Sequence, residues 1–308
     1  MEQLAAMRVY LRVAELASFT QAAEQLGLPK ASISAAVQQL ENQLGARLLH
    51  RTTRRVQMTQ DGQAYYERCR DLLADMDELQ AMFQAGEGDL TGRLRVDLPA
   101  ASARMYVLPR LPEFLAAHPR IELELSSTDR RVDLVREGFD CVMRVGALVD
   151  SSLIARRLGR FEMVNCASRD YVARYGRPGT LADLAQHRLV HYAATLGAKV
   201  AGFEYVTPGG VALLAMAGVI TVNNSEAYQA ACRAGLGIIQ LPRVGVADGL
   251  ASGELVELLP DWRAEPMPVS LLYANRRHLP RRVQAFMAWL AQVMAPYLQS
   301  DDDQAASG

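Results

Sequence analysis

No stretch of the 308-residue sequence approaches the roughly 18 uninterrupted apolar residues of a spanning helix, so a helical membrane anchor is excluded and no membrane partner is expected. The opening Met-Glu-Gln-Leu-Ala-Ala-Met-Arg lacks the basic, then apolar, then small order of a secretory signal, and a reducing, cytoplasmic setting is expected. Cysteine is scarce. Cys69, Cys141, Cys166 and Cys232 lie far apart with no C-x-x-C pair, which argues against a disulfide framework or a zinc site and for buried thiols. The sequence also lacks G-x-G-x-x-G, G-x-S-x-G and Walker patterns, so no enzyme signature is present and no cofactor is expected. Nor is there an excess of positive charge: the net charge of -1 is not that of a dedicated nucleic-acid-binding chain.

The positive charge that exists is local. Residues 47–55, RLLHRTTRR, carry Arg47, Arg51, Arg54 and Arg55 with no acid. Upstream, Leu4, Met7, Leu11 and Ala14 recur at helical spacing, which predicts a helix over residues 2–16 ended by a turn at Ala17-Ser18. Thr20 reads as the N-cap of a second short helix stopped by Gly27. A third helix follows, with Pro29 in its first turn, Ile33, Val37, Leu40 and Leu44 as its apolar stripe, and Gly45 as its stop. Two short helices joined by a tight turn form a helix-turn-helix pattern. The strand-like runs 48–50 and 56–58, flanking the basic tip, read as a β-hairpin wing.

From Gln63 the residues Tyr65, Cys69, Leu72, Met76, Leu79 and Phe83 alternate four and three apart, the repeat of a coiled-coil seam and hence of a dimer. Packing on the chain's own core is the competing reading of that stripe. The glycine-punctuated stretch 86–92 marks a hinge. Beyond it, strand-like and helical runs alternate (RLRVDL, VLPRLPEFLAAH, IELELS, RVDLVREG, FDCVMRV) and the pattern restarts near Glu162. This predicts two α/β subdomains with parallel or mixed sheets, the run 269–276 returning to the first. The expected limits are 1–60 for the winged helix-turn-helix, 61–86 for the linker helix, 87–92 for the hinge and 93–300 for the α/β domain. Subdomain I takes about 93–163 and 267–300, and subdomain II about 164–266. The tail 301–308 is expected to be disordered.

The stretch Ser18-Phe19-Thr20-Gln21-Ala22-Ala23-Glu24-Gln25-Leu26, then Ser32-x-Ser34, Gln39-Leu40-Glu41 and Leu44-Gly45-x-Arg47-Leu48-Leu49-x-Arg51, resembles the N-terminus of LysR-type transcriptional regulators. The likeness continues through GDLTGRLRV, VDLVREGFDCVMRVG, CASRDYV and AGLGIIQLP, to about Pro296. The resemblance implies a winged helix-turn-helix, a dimerising linker helix and an effector domain built like a periplasmic binding protein. It also implies promoter DNA, a small-molecule effector and RNA polymerase as partners, and a dimer or dimer of dimers. Many relatives carry Arg or Lys where this chain has Ala35 and a serine cap where it has Pro29, so base readout is expected from Lys30, Ser32, Ser34 and Gln38. Thr20, Gln21, Arg51, Thr53, Arg54 and Arg55 complete the expected DNA-binding set, the arginines on phosphates or in the minor groove.

If the resemblance holds, the effector lies between the two subdomains, against Ala101, Ser102, Ala103, Thr128, Arg144, Gly146, Ser168, Asn224 and Gln240. Helix-start amides beside Ser102, with Arg144, would suit an anionic metabolite; alternatively Arg144 serves only a salt bridge within its subdomain. His187 and His191 stand four apart, but LVHY reads as a strand and no third ligand is evident, so no metal is expected. Cys166 stands either as a structural thiol or as an oxidant sensor. A metabolite-binding module without DNA function is the remaining alternative, opposed by the helix-turn-helix.

Overall fold

A computed structural model describes residues 3–51, 56–81, 90–148, 153–274 and 279–300. The chain divides into two compact units. One is residues 1–93 with the short pieces 118–122 and 280–282; the other is the remainder.

In the N-terminal unit, helices α1 (Gln3–Leu16), α2 (Phe19–Leu26) and α3 (Lys30–Leu44) precede a hairpin of β1 (Leu49–Arg51) and β2 (Val56–Met58), and α4 (Gln60–Ala81) follows. Local chemistry sets most of these boundaries. Ser18, not Thr20, caps α2: its backbone is extended and its Oγ accepts from Gln21 N at 3.2 Å, which leaves Thr20 inside the helix. Gly27 (φ 63°) and Gly45 (φ 66°) end α2 and α3 in the left-handed conformation, where L side chains are strained. Pro29 stands one residue before α3, and its carbonyl accepts from Ser32 N and Ile33 N. Thr59 starts α4: its Oγ1 accepts from Gly62 N at 2.8 Å and donates to Arg47 O at 2.6 Å.

The core of this unit gathers Val9, Tyr10 and Val13 of α1 with Ile33, Val37 and Leu40 of α3, then Leu48 and Leu49. Tyr10 Oη donates to Gly62 O at 2.8 Å, tying α1 to α4. A side chain at Gly62 would put its Cβ 2.0 Å from Leu48 O, so the two backbones meet there only because position 62 has none. Leu44, expected in the apolar stripe, is 41% exposed, because by the last turn of α3 its face has passed the core.

The expected seam on α4 divides. Cys69 is buried in the unit's own core and Tyr65 packs edge-on against Tyr10, ring centroids 5.7 Å apart, so for these two the competing reading holds. Leu72 is 47% exposed and Met76 half-buried. Leu79 lies in α4, but its side chain is outside the described residues, as is Phe83 altogether.

The second unit continues with β3 (Thr91–Leu98) and a single helical turn α5 (Ala100–Ser102) that widens to π geometry over Ala103–Val107. Next come α6 (Leu111–Ala117), β4 (Arg120–Ser127), α7 (Leu134–Glu137), β5 (Cys141–Val145) and β6 (Leu153–Phe161). Then follow β7 (Met163–Ser168), α8 (Arg169–Tyr175), β8 (His191–Tyr192), β9 (Phe203–Thr207), β10 (Gly210–Leu214), β11 (Thr221–Val222), α9 (Ser225–Arg233) and β12 (Ile239–Pro242). The last elements are α10 (Ala247–Ser252), β13 (Leu255–Leu258), β14 (Met267–Ala274) and α11 (Arg281–Met294).

Two sheets result. The first has the order β4-β3-β5-β14-β6, with β3 parallel to β5 and β14 antiparallel to both β5 and β6, a mixed sheet as the alternation predicts. In β3, Val96, Asp97 and Leu98 are consecutively buried, the mark of a central strand covered on both faces. One of those faces therefore takes a carboxylate into the interior. The second sheet departs from expectation: β7, buried along its whole length, pairs antiparallel with both β12 and β13. A parallel component survives only in the short β8–β11 pair and the Leu189–Ile238 bridge. Helices still intervene there, α8 and α9 between β7 and β12 and α10 between β12 and β13, and the alternation of apolar runs does not fix the direction in which the strands they join will pair.

Candidate DNA-binding surface and effector cavity

On α3 the inward residues Ile33, Ala36, Val37 and Leu40 leave Lys30, Ala35 and Gln38 exposed and Ser32 and Ser34 half-buried on the opposite side. Thr20 and Gln21 are exposed at the start of α2. Gln38 is engaged in part along its own helix, its Nε2 donating to Asn42 Oδ1 at 3.1 Å. The hairpin pairs Leu49 with Met58, His50 with Gln57 and Arg51 with Val56. Arg51 is placed by its backbone only; its side chain, with Thr53, Arg54 and Arg55, lies outside the described residues.

Glu41 is the functional support that composition conceals. It is buried, and its Oε1 accepts from Leu48 N at 2.8 Å and Leu49 N at 3.1 Å, which joins α3 to the first strand of the hairpin. In the sequence Glu41 is marked only as part of the QLE triplet, whereas its acceptor role depends on residues seven and eight positions later.

In the second unit a cavity of about 250 Å³ opens between the first sheet and the elements built around β7. Of the expected effector residues, Ala101, Ser102, Thr128, Arg144 and Gln240 line it. The other four are used elsewhere. Ala103 is buried in the π turn, and Gly146 (φ 98°) gives its N–H to Pro268 O at 2.8 Å. Ser168 and Asn224 cap α8 and α9, accepting from Tyr171 N at 3.2 Å and Ala227 N at 2.8 Å. Strand-end position placed all four near the cleft, but capping turned the last two toward their own helices.

Tyr106, Phe161, Tyr192 and Tyr228 supply aromatic walls, and Val145, Leu241 and Met267 aliphatic ones. Aromatic residues spread from position 106 to position 228 carry no local signal of convergence, so no sequence pattern marks them. The phenols stay protonated at neutral pH. Burial, with Tyr297 beside it, pushes Tyr106 up to about 12, and burial followed by the charge of Asp129 does the same for Tyr192. Burial also raises Tyr228, against the donated N–H of Gln240.

Arg144 donates from Nη1 to Asp97 Oδ2 at 2.8 Å and to Met143 O at 2.7 Å. The salt-bridge reading of this residue is therefore met, while its side chain still lines the cavity. Burial, the largest influence, raises the Asp97 carboxyl above its ordinary value, opposed by hydrogen bonds that include the one from Arg144. Gln240 is similarly committed. Its Nε2 donates to Asn165 Oδ1 at 2.8 Å and Glu204 O at 2.7 Å, and its Oε1 accepts from Glu204 N at 2.7 Å.

Asp129, which the sequence did not single out, has the most distinctive position. Its Oδ1 accepts from Ala100 N at 2.9 Å, at the start of α5, and its Oδ2 from Ser225 N at 2.5 Å, at the start of α9. The amides expected to receive an anionic metabolite thus already hold a carboxylate.

All four cysteines are buried and free. A hydrogen bond with Cys232 and burial hold the Cys166 thiol far above its ordinary value, the reverse of what a reactive sensor needs. His187 is buried beside Tyr171 Oη, 3.2 Å from its Nδ1, and burial lowers its pKa. His191 is buried in β8, and no cluster of three metal-ligating side chains occurs among the described residues. No helix of the described residues is long and apolar enough to cross a membrane.

A winged helix-turn-helix joined through a long helix to a cavity-bearing α/β domain defines a transcriptional regulator that couples DNA binding to a small-molecule effector. Family comparisons place the chain within that class. Residues 4–63 match the family model described as bacterial regulatory helix-turn-helix protein, lysR family, and residues 87–295 the LysR substrate binding domain. The chain is 50% identical over 298 residues to the HTH-type transcriptional regulator YhjC of Escherichia coli, covering 97% of this chain and all of that one. It is 39% identical over 295 residues to an HTH-type transcriptional repressor of Pseudomonas aeruginosa, covering 96% and 93%. The solved structure of CrgA, a LysR-type transcriptional regulator from Neisseria meningitidis, aligns with a TM-score of 0.60 at 28% identity, over 94% of this chain and 97% of that one. The chain belongs to the LysR family of transcriptional regulators.

Proposed function

We propose that this regulator works in the cytoplasm, reads promoter DNA as a dimer or dimer of dimers, and changes its grip on DNA or its contact with RNA polymerase when a small molecule enters the cavity. It performs no chemistry on that molecule. Lys30, Ser32, Ser34 and Gln38 read bases from α3, and Thr20 and Gln21 help seat the α2–α3 pair. Arg51, Thr53, Arg54 and Arg55 meet phosphates or the minor groove from the wing. Pairing of two chains falls to the outward residues of the linker, Leu72 and Met76, with Leu79 and Phe83 beyond them, because Tyr65 and Cys69 are used within the chain. The observation that supports the sensing half is the concave, largely apolar cavity with a few convergent polar groups, the usual form of a small-molecule site.

Fluorescence anisotropy on duplex DNA from upstream of the gene, against scrambled duplex at several salt concentrations, tests the DNA half. Arg54→Ala is expected to weaken binding on all sequences and to reduce the salt slope by about 1; an unchanged slope removes the wing from this role. Ser34→Ala is expected to cost about 1 kcal/mol of discrimination between the two duplexes, and equal loss on both would remove it from base readout. For the sensing half, Ala101→Trp fills the cavity. It is expected to abolish any change in DNA affinity that a protein-free cell extract produces with the unaltered protein, and an extract that still acts on the variant would place the effector elsewhere.

A further inference from the structure

The charges around the cavity bear on which molecule it accepts. Asp129 occupies the backbone donors at the starts of α5 and α9. Arg144, the cation on the wall, is neutralised by Asp97 at 2.8 Å, so the pair cancels and the charge of Asp129 remains. Outside the lining, Arg104 Nε and Glu226 Oε1 pair at 2.7 Å and cancel likewise. The tyrosine hydroxyls, raised by burial, add no charge. An entering carboxylate would meet a fixed like charge and find its cradle of amides filled, in a site where low polarity strengthens the repulsion.

The same walls leave hydrogen-bonding capacity unused. Arg144 Nη2 and Ser225 Oγ are both buried without a hydrogen-bond partner, and both residues face the cavity. A desolvated donor of this kind favours a ligand that brings an acceptor. Most of the remaining lining is aromatic and aliphatic, which suits a flat ring.

We infer that the effector is a small, uncharged, ring-bearing molecule whose carbonyl or hydroxyl oxygen accepts from Arg144 Nη2, and that Asp129 is the residue that excludes carboxylates. This inference rests on the reading of the cavity as the effector site. Asp129 acts as an internal counterpart of the missing ligand charge, holding α5 to α9 through its two oxygens. Selectivity therefore comes from an occupied anion cradle and not from the shape of the walls.

Saturation-transfer NMR on the full chain with benzamide and benzoate, matched in shape and differing in charge, tests it. The unaltered protein is expected to bind benzamide, and benzoate at least about tenfold more weakly; Asp129→Asn should shrink that ratio to near 1. Equal binding of the two by the unaltered protein, no binding of benzamide at about 10 mM, or an unchanged ratio in a folded Asp129→Asn protein would each overturn the inference. Should Asp129→Asn fail to fold, the ratio in the unaltered protein decides alone. Ala101→Trp separates the two levels of argument: benzamide binding that survives it lies outside the cavity and removes the effector-site reading itself, whereas loss of benzamide binding with a ratio near 1 in the unaltered protein removes only the charge selection.

Discussion

Arg144→Met is expected to destabilise the effector domain by about 3–5 kcal/mol at neutral pH, because it leaves the fully buried Asp97 carboxylate without its partner. The side chain is only 15% exposed, so solvent cannot replace the guanidinium. The loss should depend on pH in a defined sense. Asp97 already has a raised carboxyl pKa in the folded chain, so the folded state holds that proton more tightly than the unfolded chain. Stability from this group is then greatest below the ordinary carboxylate range and declines as pH rises through the elevated folded value. Removing Arg144 elevates it further, which carries the decline toward neutral pH. The deficit of the variant relative to the unaltered protein should therefore shrink on going from about pH 7 to about pH 5. Urea unfolding at the two pH values measures it, and Asp97→Asn in the Arg144→Met background should recover much of the loss. A deficit that is the same at both pH values, or no recovery in the double variant, would show that packing and not the charge pair is what Arg144 contributes.

Glu41→Leu should be comparably severe in the N-terminal unit. Two buried backbone donors, Leu48 N and Leu49 N, lose a charged acceptor that no water can replace, at a cost of about 2–4 kcal/mol. Because those donors open the hairpin strand, DNA binding should fall along with stability, on all sequences alike. Glu41→Gln keeps a neutral acceptor at the same reach and should lose less than half as much. Thermal unfolding of the full chain with an anisotropy titration checks both. If Glu41→Leu unfolds at the same temperature as the unaltered protein, the two hydrogen bonds do not hold the hairpin.

Much of the first unit was legible because its signals are short-range. The glycine stops at Gly27 and Gly45 and the spacing of Ile33, Val37 and Leu40 each depend on a few neighbouring residues, and the hairpin follows from two short runs around a turn. The cap of α2 moved from Thr20 to Ser18 because either side chain can accept in principle, and only backbone conformation selects between them. The α4 stripe left two readings open for a related reason: periodicity reports that a face is apolar and is silent on whether the same chain or another covers it. Tyr10, coming from 55 residues upstream to meet Tyr65, decided that for the first turns.

By itself, then, the sequence determined what repeats locally and what combines into a family signature: helices and stops in the first unit, the α/β alternation of the second, the membership that joins them, and the run 269–276 as available to return to the first subdomain. Only the tertiary structure decided the occupant of each polar contact. Ala100, Asp129 and Ser225 are 29 and 96 positions apart, and Asp97 and Arg144 are 47 apart. No local pattern records such pairs, because the chain must first be folded before desolvation makes an unpaired charge costly and a particular partner necessary.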